Sequence, residues 1–199
     1  MSPEAFLSIL SRSAMLKTTY RHCDTAPARR ESVADHSWRT ALMAMLLSGE
    51  EEFRAADMDK VIRMCLIHDL GEAFTGDIPT FVKTNSDRNK EDALLRAWVT
   101  TLPEPCRTEL SLLFAEMEAQ ATTEARIYKA LDGLEALIQH NEADISTWSE
   151  NEYLLNLTYC DDRVGFSDYL TELREEIRAD TVEKIRKAQI LGDFSLDKV

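Results

Sequence analysis

The stretch LIHDLGEAFTGDIPTFVK, residues 66–83, carries the strongest structural signal in the chain. It starts as an apolar helical run, meets His68 and Asp69, and is broken at Gly71. A histidine and a carboxylate are costly to bury at the end of such a helix unless they pair with each other or bind a cation. Because short motifs match by chance, the doublet alone fits a hydrogen-bonded core pair as well as a metal site.

The sequence on either side of this stretch predicts an all-α fold, a bundle of helices. Six glycines and five prolines leave few chain breakers, and apolar residues recur in steps of three and four rather than two. Asp57 is the expected N-cap of one of these helices, and another is expected to start near Thr122 or Thr123. Apolar stripes follow Phe6, Trp38, Val61, Leu94, Leu110, Ile127 and Phe166.

Two segments are predicted to be irregular, namely residues 22–31 and residues 71–89. The tail after Leu191 is expected to be loosely held. A length of 199 residues without a composition shift or repeat predicts a single domain over residues 1–199.

The charge of the chain limits its partners. With 36 Asp plus Glu against 23 Lys plus Arg, the formal charge is -13 and the sequence pI is about 4.8. Such a field repels polyanions, so nucleic acid and membrane surfaces are excluded as partners. The first 30 residues differ, because they hold five cations against two carboxylates. A small anion is therefore a better candidate ligand than a nucleic acid strand.

A cytoplasmic location is expected. No apolar run approaches the roughly 20 residues that span a bilayer, and the first ten residues lack the pattern of a signal peptide. The four cysteines, Cys23, Cys65, Cys106 and Cys160, form no Cys-x-x-Cys pair. They therefore suggest neither a disulfide framework nor a thiolate zinc site.

Two further polar residues on helices make the doublet more specific. His36 follows Asp35 in the first turn of a predicted helix, and Asp132 interrupts the apolar run RIYKALDGLEALIQ. Taken singly, each fits an exposed helix position. Two imidazoles and two carboxylates together suit a divalent ion such as manganese, cobalt, iron or zinc.

These four residues, with their flanking sequences, resemble the HD-domain metal-dependent phosphohydrolases. More narrowly, the chain resembles the 5'-deoxynucleotidases of that family. The resemblance spans about residues 6–145, and the segment 146–190 is not assigned by it. The matching strings are LKTTYRHC (16–23), ESVADHSWR (31–39), the HDxxExxxGDxP pattern from His68 to Pro79, and KALDGLE (129–135).

The resemblance implies a fold, a cofactor and an activity. The fold is the helical bundle of HD domains, and the activity is hydrolysis of (deoxy)nucleoside 5'-monophosphates by a metal-activated water. One divalent metal ion (manganese, cobalt, iron, zinc or magnesium) would be bound by four residues. These are His36, His68, Asp69 and Asp132.

The resemblance also implies roles for four other residues. Glu72 would orient the attacking water or shuttle its proton, Asp77 would contact the sugar near the reacting centre, and Arg21 would grip the phosphate. Many relatives have a tryptophan near that arginine which disfavours a 2'-hydroxyl, whereas this chain has His22 followed by Cys23. Selectivity for deoxyribose is therefore an open question. His22 would either replace the tryptophan by stacking or hydrogen bonding, or be exposed to solvent.

Alternatives remain at this point. A regulatory module could keep the metal fold and sense a nucleotide without turnover, although retention of Glu72 argues against it. Two-metal HD chemistry needs further histidines, and only His140 follows Asp69. His140 and Trp148 are expected to be structural. Relatives form dimers, so a homodimer is predicted, with the helix after Phe166 either at its interface or closing the core.

Overall fold

The computed structural model describes residues 1–25 and 29–191, and it is helical apart from one small hairpin. The N-terminal half comprises α1 (Pro3–Ser13), β1 (Tyr20–Thr25), β2 (Arg29–Ser32), α2 (Val33–Leu47), α3 (Met58–Ile67), α4 (Glu72–Thr75) and α5 (Asn85–Thr100). The C-terminal half comprises α6 (Cys106–Ala119), α7 (Thr123–Glu142), α8 (Glu150–Thr158), α9 (Asp161–Val164) and α10 (Asp168–Leu191). Short 3-10 turns lie at Ala14–Lys17, Glu51–Phe53 and Ile145–Thr147. The predicted all-α class is confirmed.

Helix α7 forms the centre of the bundle. Ile127, Leu131 and Leu134 are fully buried, and α2, α3 and α10 pack against the helix that carries them. Apolar residues at this spacing line one face of a helix, and burying that face is the main source of its stability. A polar residue on the same helix, such as Asp132, is therefore held in place from several sides.

The apolar core has two parts that meet. The larger cluster surrounds α7, and a smaller one includes Leu16, Val33 and Leu95. Ile67 and Phe114 pack against both clusters, which is compatible with one domain.

Helix starts follow the predicted caps. The side chain of Asp57 accepts a hydrogen bond from the Lys60 amide at the start of α3, and Thr122 caps α7. Helix α2 starts with a reciprocal capping box between Ser32 and Asp35. This box fixes the first turn of α2 and therefore the position of His36.

The two segments predicted to be irregular contain regular secondary structure in part. Residues 22–25 and 29–31 contribute to an antiparallel hairpin, in which Tyr20 pairs with Ser32 and Asp24 with Arg30, and residues 26–28 lie outside the described residues. The strands are short and charged, so they lack the apolar alternation by which strands are identified in a sequence. Within residues 71–89, α4 forms a single turn and α5 starts at Asn85 behind a capping box.

The C-terminal helix α10 closes the core, with Leu170 and Ile177 buried. Its Arg174 is 1% exposed and donates to the carbonyls of Tyr159 (3.0 Å) and Asn156 (3.1 Å), tying α10 to the turn between α8 and α9. The predicted last helix is confirmed, although Phe166 precedes its first turn. The tail after Leu191 lies outside the described residues. Along those residues, none of the helices combines the length and hydropathy needed to cross a bilayer.

Candidate active site

The two histidines and two aspartates predicted from the sequence converge at one point. His36 comes from the first turn of α2, His68 and Asp69 from the end of α3, and Asp132 from the middle of α7. His36 Nε2 lies 3.2 Å from His68 Nε2 and 3.2 Å from Asp132 Oδ1. His68 Nε2 lies 3.1 Å from Asp69 Oδ2. The fold thus gathers four ligand-type atoms from three helices.

Hydrogen bonds on the far side of each imidazole fix its orientation. His36 Nδ1 donates to Glu135 Oε2, and His68 Nδ1 donates to the Cys65 carbonyl at 2.8 Å. With both Nδ1 atoms occupied, the two Nε2 atoms face each other and the carboxylates. Nitrogen lone pairs at this separation repel unless a proton or a cation lies between them. The donor set therefore fits a divalent cation.

Charge within the cluster shifts the pKa of each member. Burial alone would raise the pKa of Asp132, but Lys129 and the histidines outweigh it and hold the pKa well below its ordinary value. Burial alone would lower the pKa of His68, but Asp69 and Asp132 raise it well above its ordinary value. Because imidazole binds a cation in its deprotonated form, the affinity of this site for a cation should increase with pH.

Glu72 lies beside this cluster and is buried, contrary to the simple expectation for a residue at a helix end. It is 5% exposed, and its Oε2 has no hydrogen-bond partner among the described residues. Its Oε1 lies 3.8 Å from Lys83 Nζ. Burial, followed by the charges of Asp69 and Asp77, raises the pKa of Glu72 to about 10. A carboxyl group with a raised pKa and an unoccupied oxygen is suited to proton transfer.

Arg21 and Asp77 also face the cluster. Arg21 Nε lies 2.8 Å from Glu31 Oε2, and its Nη1 lies 3.8 Å from Asp69 Oδ2. Asp77 follows Gly76, whose φ of 78° lies in the left-handed region that glycine adopts readily. Burial raises the pKa of Asp77, and the charge of Arg21 opposes this.

His22 makes a contact that the sequence did not indicate. Its Nε2 lies 2.6 Å from Glu152 Oε1 on α8, and its ring meets the edge of Phe81 at 5.4 Å between centroids. His140, expected to be structural, lies 3.5 Å from the same carboxylate oxygen and accepts from Asn156 at 3.0 Å. His22, His140 and Glu152 form a cluster that is satisfied by its own hydrogen bonds. It anchors the hairpin to α8.

A cavity of about 240 Å³ joins these groups. Arg21, His22, Asp69, Glu72, Asp77 and Asp132 all line it, so it opens onto both the ligand cluster and the predicted substrate residues. Its opposite wall comes from the C-terminal helices and includes Glu152, Asn156, Tyr159 and Arg163. The cavity is somewhat smaller than the roughly 300 to 1,000 Å³ typical of small-molecule pockets.

Sequence reasoning missed several residues that build the site. Glu135 lies three residues after Asp132 on α7, a spacing that places both on one helix face and could have revealed it. Arg39 Nε lies 2.6 Å from Glu135 Oε1 and keeps that carboxylate ionised. The cavity-lining residues of α8 and α9 carried no motif, because they reach the site only through the fold.

The chain is similar to a known family over most of its length. A family model described as HD domain matches residues 13–173. The match extends past residue 145, where the resemblance noted in the sequence ended, and includes α8, α9 and the start of α10.

Individual relatives agree with the family match. The 5'-deoxynucleotidase HDDC2 of Homo sapiens is 36% identical over 117 residues, covering 57% of this chain and 55% of that protein. The 5'-deoxynucleotidase hdd1 of Schizosaccharomyces pombe is 28% identical over 165 residues, covering 72% and 78%. The chain thus spans about half the length of the first of these relatives.

A solved structure from Magnetospirillum magnetotacticum MS-1, described as a predicted metal-dependent phosphohydrolase, shares the fold. It superposes with a TM-score of 0.77 and 30% identity, covering 93% of this chain and 96% of that one.

Proposed function

The chain belongs to the HD-domain family, and on that premise we propose that it is a metal-dependent phosphomonoester hydrolase of (deoxy)nucleoside 5'-monophosphates. The observation that carries the proposal is the convergence of four ligand-type atoms beside a buried carboxyl group with an unoccupied oxygen. A pure binding module has no need of the second element. The names of the human and fission yeast relatives support a nucleotide as the substrate.

The proposed ligands are His36, His68, Asp69 and Asp132. A divalent cation held there would lower the pKa of a bound water and offset negative charge on a phosphate. Two carboxylates on a divalent ion leave the centre formally neutral, so it tolerates a phosphate dianion in an acidic protein.

Glu72 is proposed to carry the proton. In hydrolysis the water oxygen forms a bond to phosphorus, and the bond from phosphorus to the 5'-oxygen breaks. The departing 5'-oxygen gains one proton and the water loses one, so Glu72, which its raised pKa keeps protonated at neutral pH, can supply the first, accept the second and end unchanged. Lys83 Nζ, 3.8 Å from Glu72, stabilises the ionised form of that carboxyl group between the two transfers.

Arg21 is proposed to bind the phosphate, with Asp77 and His22 on the sugar side of the cavity. The position of Arg21 supports this role, because its Nη1 lies 3.8 Å from Asp69 Oδ2 and therefore beside the proposed metal ligands. His22 lines the cavity and is fixed by Glu152, so its ring is held at a defined position beside the sugar. Comparing deoxyribo- and ribonucleotides on wild type and His22→Trp tests the assignment. If the wild type selects deoxyribose as strongly as the variant, His22 is not the determinant.

The activity is tested by phosphate release from nucleoside monophosphates with added manganese or cobalt, followed by EDTA. We expect release that depends on the metal and stops with the chelator. Asp132→Asn should lose both bound metal and turnover, whereas the exposed Asp92→Asn on α5 is the matched control and should keep both. Stoichiometric metal in Asp132→Asn would contradict the ligand set.

A nucleotide-sensing module without turnover is the second candidate. It predicts that the metal-loaded protein binds a nucleoside monophosphate but releases no phosphate from any of them. That outcome, with Glu72 intact, would replace the hydrolase proposal.

We also propose that the chain forms a single domain, is located in the cytoplasm and assembles as a homodimer. A single domain is supported by the contact between the two core clusters. A cytoplasmic location is supported by four free cysteines.

A homodimer is supported by exposed apolar side chains on α1, where Phe6 is 51% and Leu7 63% exposed. Sedimentation of wild type and Leu7→Glu would test the dimer, with dissociation expected for the variant.

A further inference from the structure

The cavity contains more positive charge than the proposed roles use. Five cationic side chains line it, and three of them lie within ion-pair distance of a carboxylate. The pairings are Arg21 Nε with Glu31 at 2.8 Å, Lys83 Nζ with Glu91 at 2.8 Å and Lys129 Nζ with Asp132 at 2.8 Å. Arg88 and Arg163 have no such partner among residues 1–25 and 29–191. Arg88 is exposed and hydrated, whereas Arg163 is half-buried.

Arg163 makes its direct contacts with neutral groups, and the nearby carboxylate of Asp132 acts on it from beyond ion-pair distance. Its Nη1 donates to the Tyr159 hydroxyl at 3.3 Å, and its guanidinium lies 4.9 Å from the centroid of the Tyr159 ring. The Arg163 side chain also packs against α7 at Gly133, which has no side chain. A Cβ added to Gly133 would lie 3.2 Å from Arg163 Nη1. The side chain is therefore positioned without an ion pair.

Arg163 lies on the Asp132 side of the ligand cluster, whereas Arg21 lies on the Asp69 side. Asp132 is the adjacent residue to Gly133 and shares its second oxygen with Lys129 at 2.8 Å. A cation that is partly removed from water and lacks an ion-pair partner favours an anion at the same place. The planar guanidinium matches two oxygens of a phosphate in a fork that an ammonium cannot reproduce.

We propose that Arg163 binds the phosphate group of the substrate, opposite Arg21, in a subsite built by Tyr159 and Gly133 with Lys129 at its edge. This inference rests on the proposed phosphohydrolase function, because it names the group that the cavity receives. It assigns a binding role to α9, a segment that carries no recognisable motif. Arg21 is already paired with Glu31, so Arg163 supplies the charge that a dianion still needs.

The test uses Arg163→Gln and Arg163→Lys in the full chain, with Arg126→Gln as the matched control. Arg126 also stacks on an aromatic ring, at 4.2 Å from the Phe166 centroid, but does not line the cavity. Binding of inorganic phosphate to the cobalt-loaded and the metal-free protein is measured by calorimetry, beside kcat and KM for a nucleoside monophosphate. Melting temperatures verify that each variant is folded.

For Arg163→Gln we expect phosphate affinity to fall and KM to rise by about tenfold or more, in line with the loss of a charged fork. Arg163→Lys keeps the positive charge but lacks the planar guanidinium. Its phosphate affinity and KM should therefore lie between those of wild type and Arg163→Gln. Arg126→Gln should stay within about twofold of wild type, as surface changes do. Phosphate affinity and KM unchanged in Arg163→Gln would overturn the inference. If that variant does not fold, a phosphate affinity equal to wild type in Arg163→Lys overturns the fork.

The two proposals fail differently. A wild type that releases phosphate, with an unaffected Arg163→Gln, contradicts only the subsite. A wild type without turnover that still loses phosphate binding in Arg163→Gln contradicts the hydrolase and supports an anion-binding role for Arg163.

Discussion

Glu135 on α7 accepts the Nδ1 hydrogen of His36 on α2, and both side chains are completely buried. The other oxygen of Glu135 is paired with Arg39 at 2.6 Å, so the carboxylate stays ionised. Burial alone would raise the pKa of Glu135, but His36 and the two arginines near it lower it. This relationship determines which nitrogen of His36 faces the candidate metal site.

Glu135→Gln should weaken metal binding without removing a ligand. The amide keeps the shape of the side chain but can present its NH₂ group to His36, so the imidazole loses a fixed orientation. We expect metal affinity to fall by about 10- to 100-fold, the usual effect of losing such a partner. Cobalt titration measures it, with the exposed Glu142→Gln, which also contacts Arg39, as control. Equal affinity in both variants would show that Glu135 does not orient His36.

Glu72→Gln should separate catalysis from metal binding. Glu72 is not a ligand in the proposed set, so bound metal should stay at the wild-type level. Turnover should fall by about 10²- to 10⁴-fold, the usual contribution of a general acid or base. Glu91→Gln is the matched control, because Glu91 also pairs with Lys83 but does not line the cavity. Turnover preserved in Glu72→Gln would remove its proposed role.

His140 should make stability depend on pH in mild acid. Burial lowers its pKa from 6.5 to about 4, with Glu152 opposing the shift. Between these values the unfolded chain binds a proton that the folded chain does not, so the free energy of unfolding decreases as pH falls. One such group contributes at most about 1.4 kcal/mol per pH unit.

The pH effect is measured by urea unfolding of wild type and His140→Gln at several pH values between about 4.5 and 7, the window of this linkage. The variant should show a smaller decrease toward acid. Parallel curves for the two proteins would mean that His140 does not titrate as described.

Gly133→Ala should disturb Cys160 and the following helix α9, which carries Arg163. A Cβ at this position would lie 2.6 Å from Cys160 Sγ and 3.2 Å from Arg163 Nη1. Cys160 has a φ of 73° and cannot move freely. We expect a loss of about 1 to 3 kcal/mol in the free energy of unfolding, partly offset by the better helix propensity of alanine. Gly49→Ala, which meets no atom within 4 Å, is the control.

Part of the candidate site could be predicted because His68 and Asp132 interrupt apolar helical runs, a pattern that can be read in a single sequence. His36 taken alone fitted an exposed helix start, and the family resemblance joined it to the other three proposed ligands. The hairpin was missed because six- and four-residue strands rich in charge carry no such period. Glu152 and Arg163 were missed for another reason. Their importance depends on contacts with residues far along the chain, and nothing local distinguishes them from solvated charges.

The bond from Arg174 to the turn between α8 and α9 has a consequence for any attempt to transplant the site. A fragment that ended after α7 would keep all four residues of the proposed metal site. By its sequence motif alone, such a fragment would appear to contain the complete site. It would nevertheless lack part of the cavity wall, because Tyr159 and Arg163 follow α7 and the Tyr159 turn is held by Arg174 of a helix that starts at Asp168. The smallest portable unit of this protein is therefore set by α10 and not by the four proposed metal ligands.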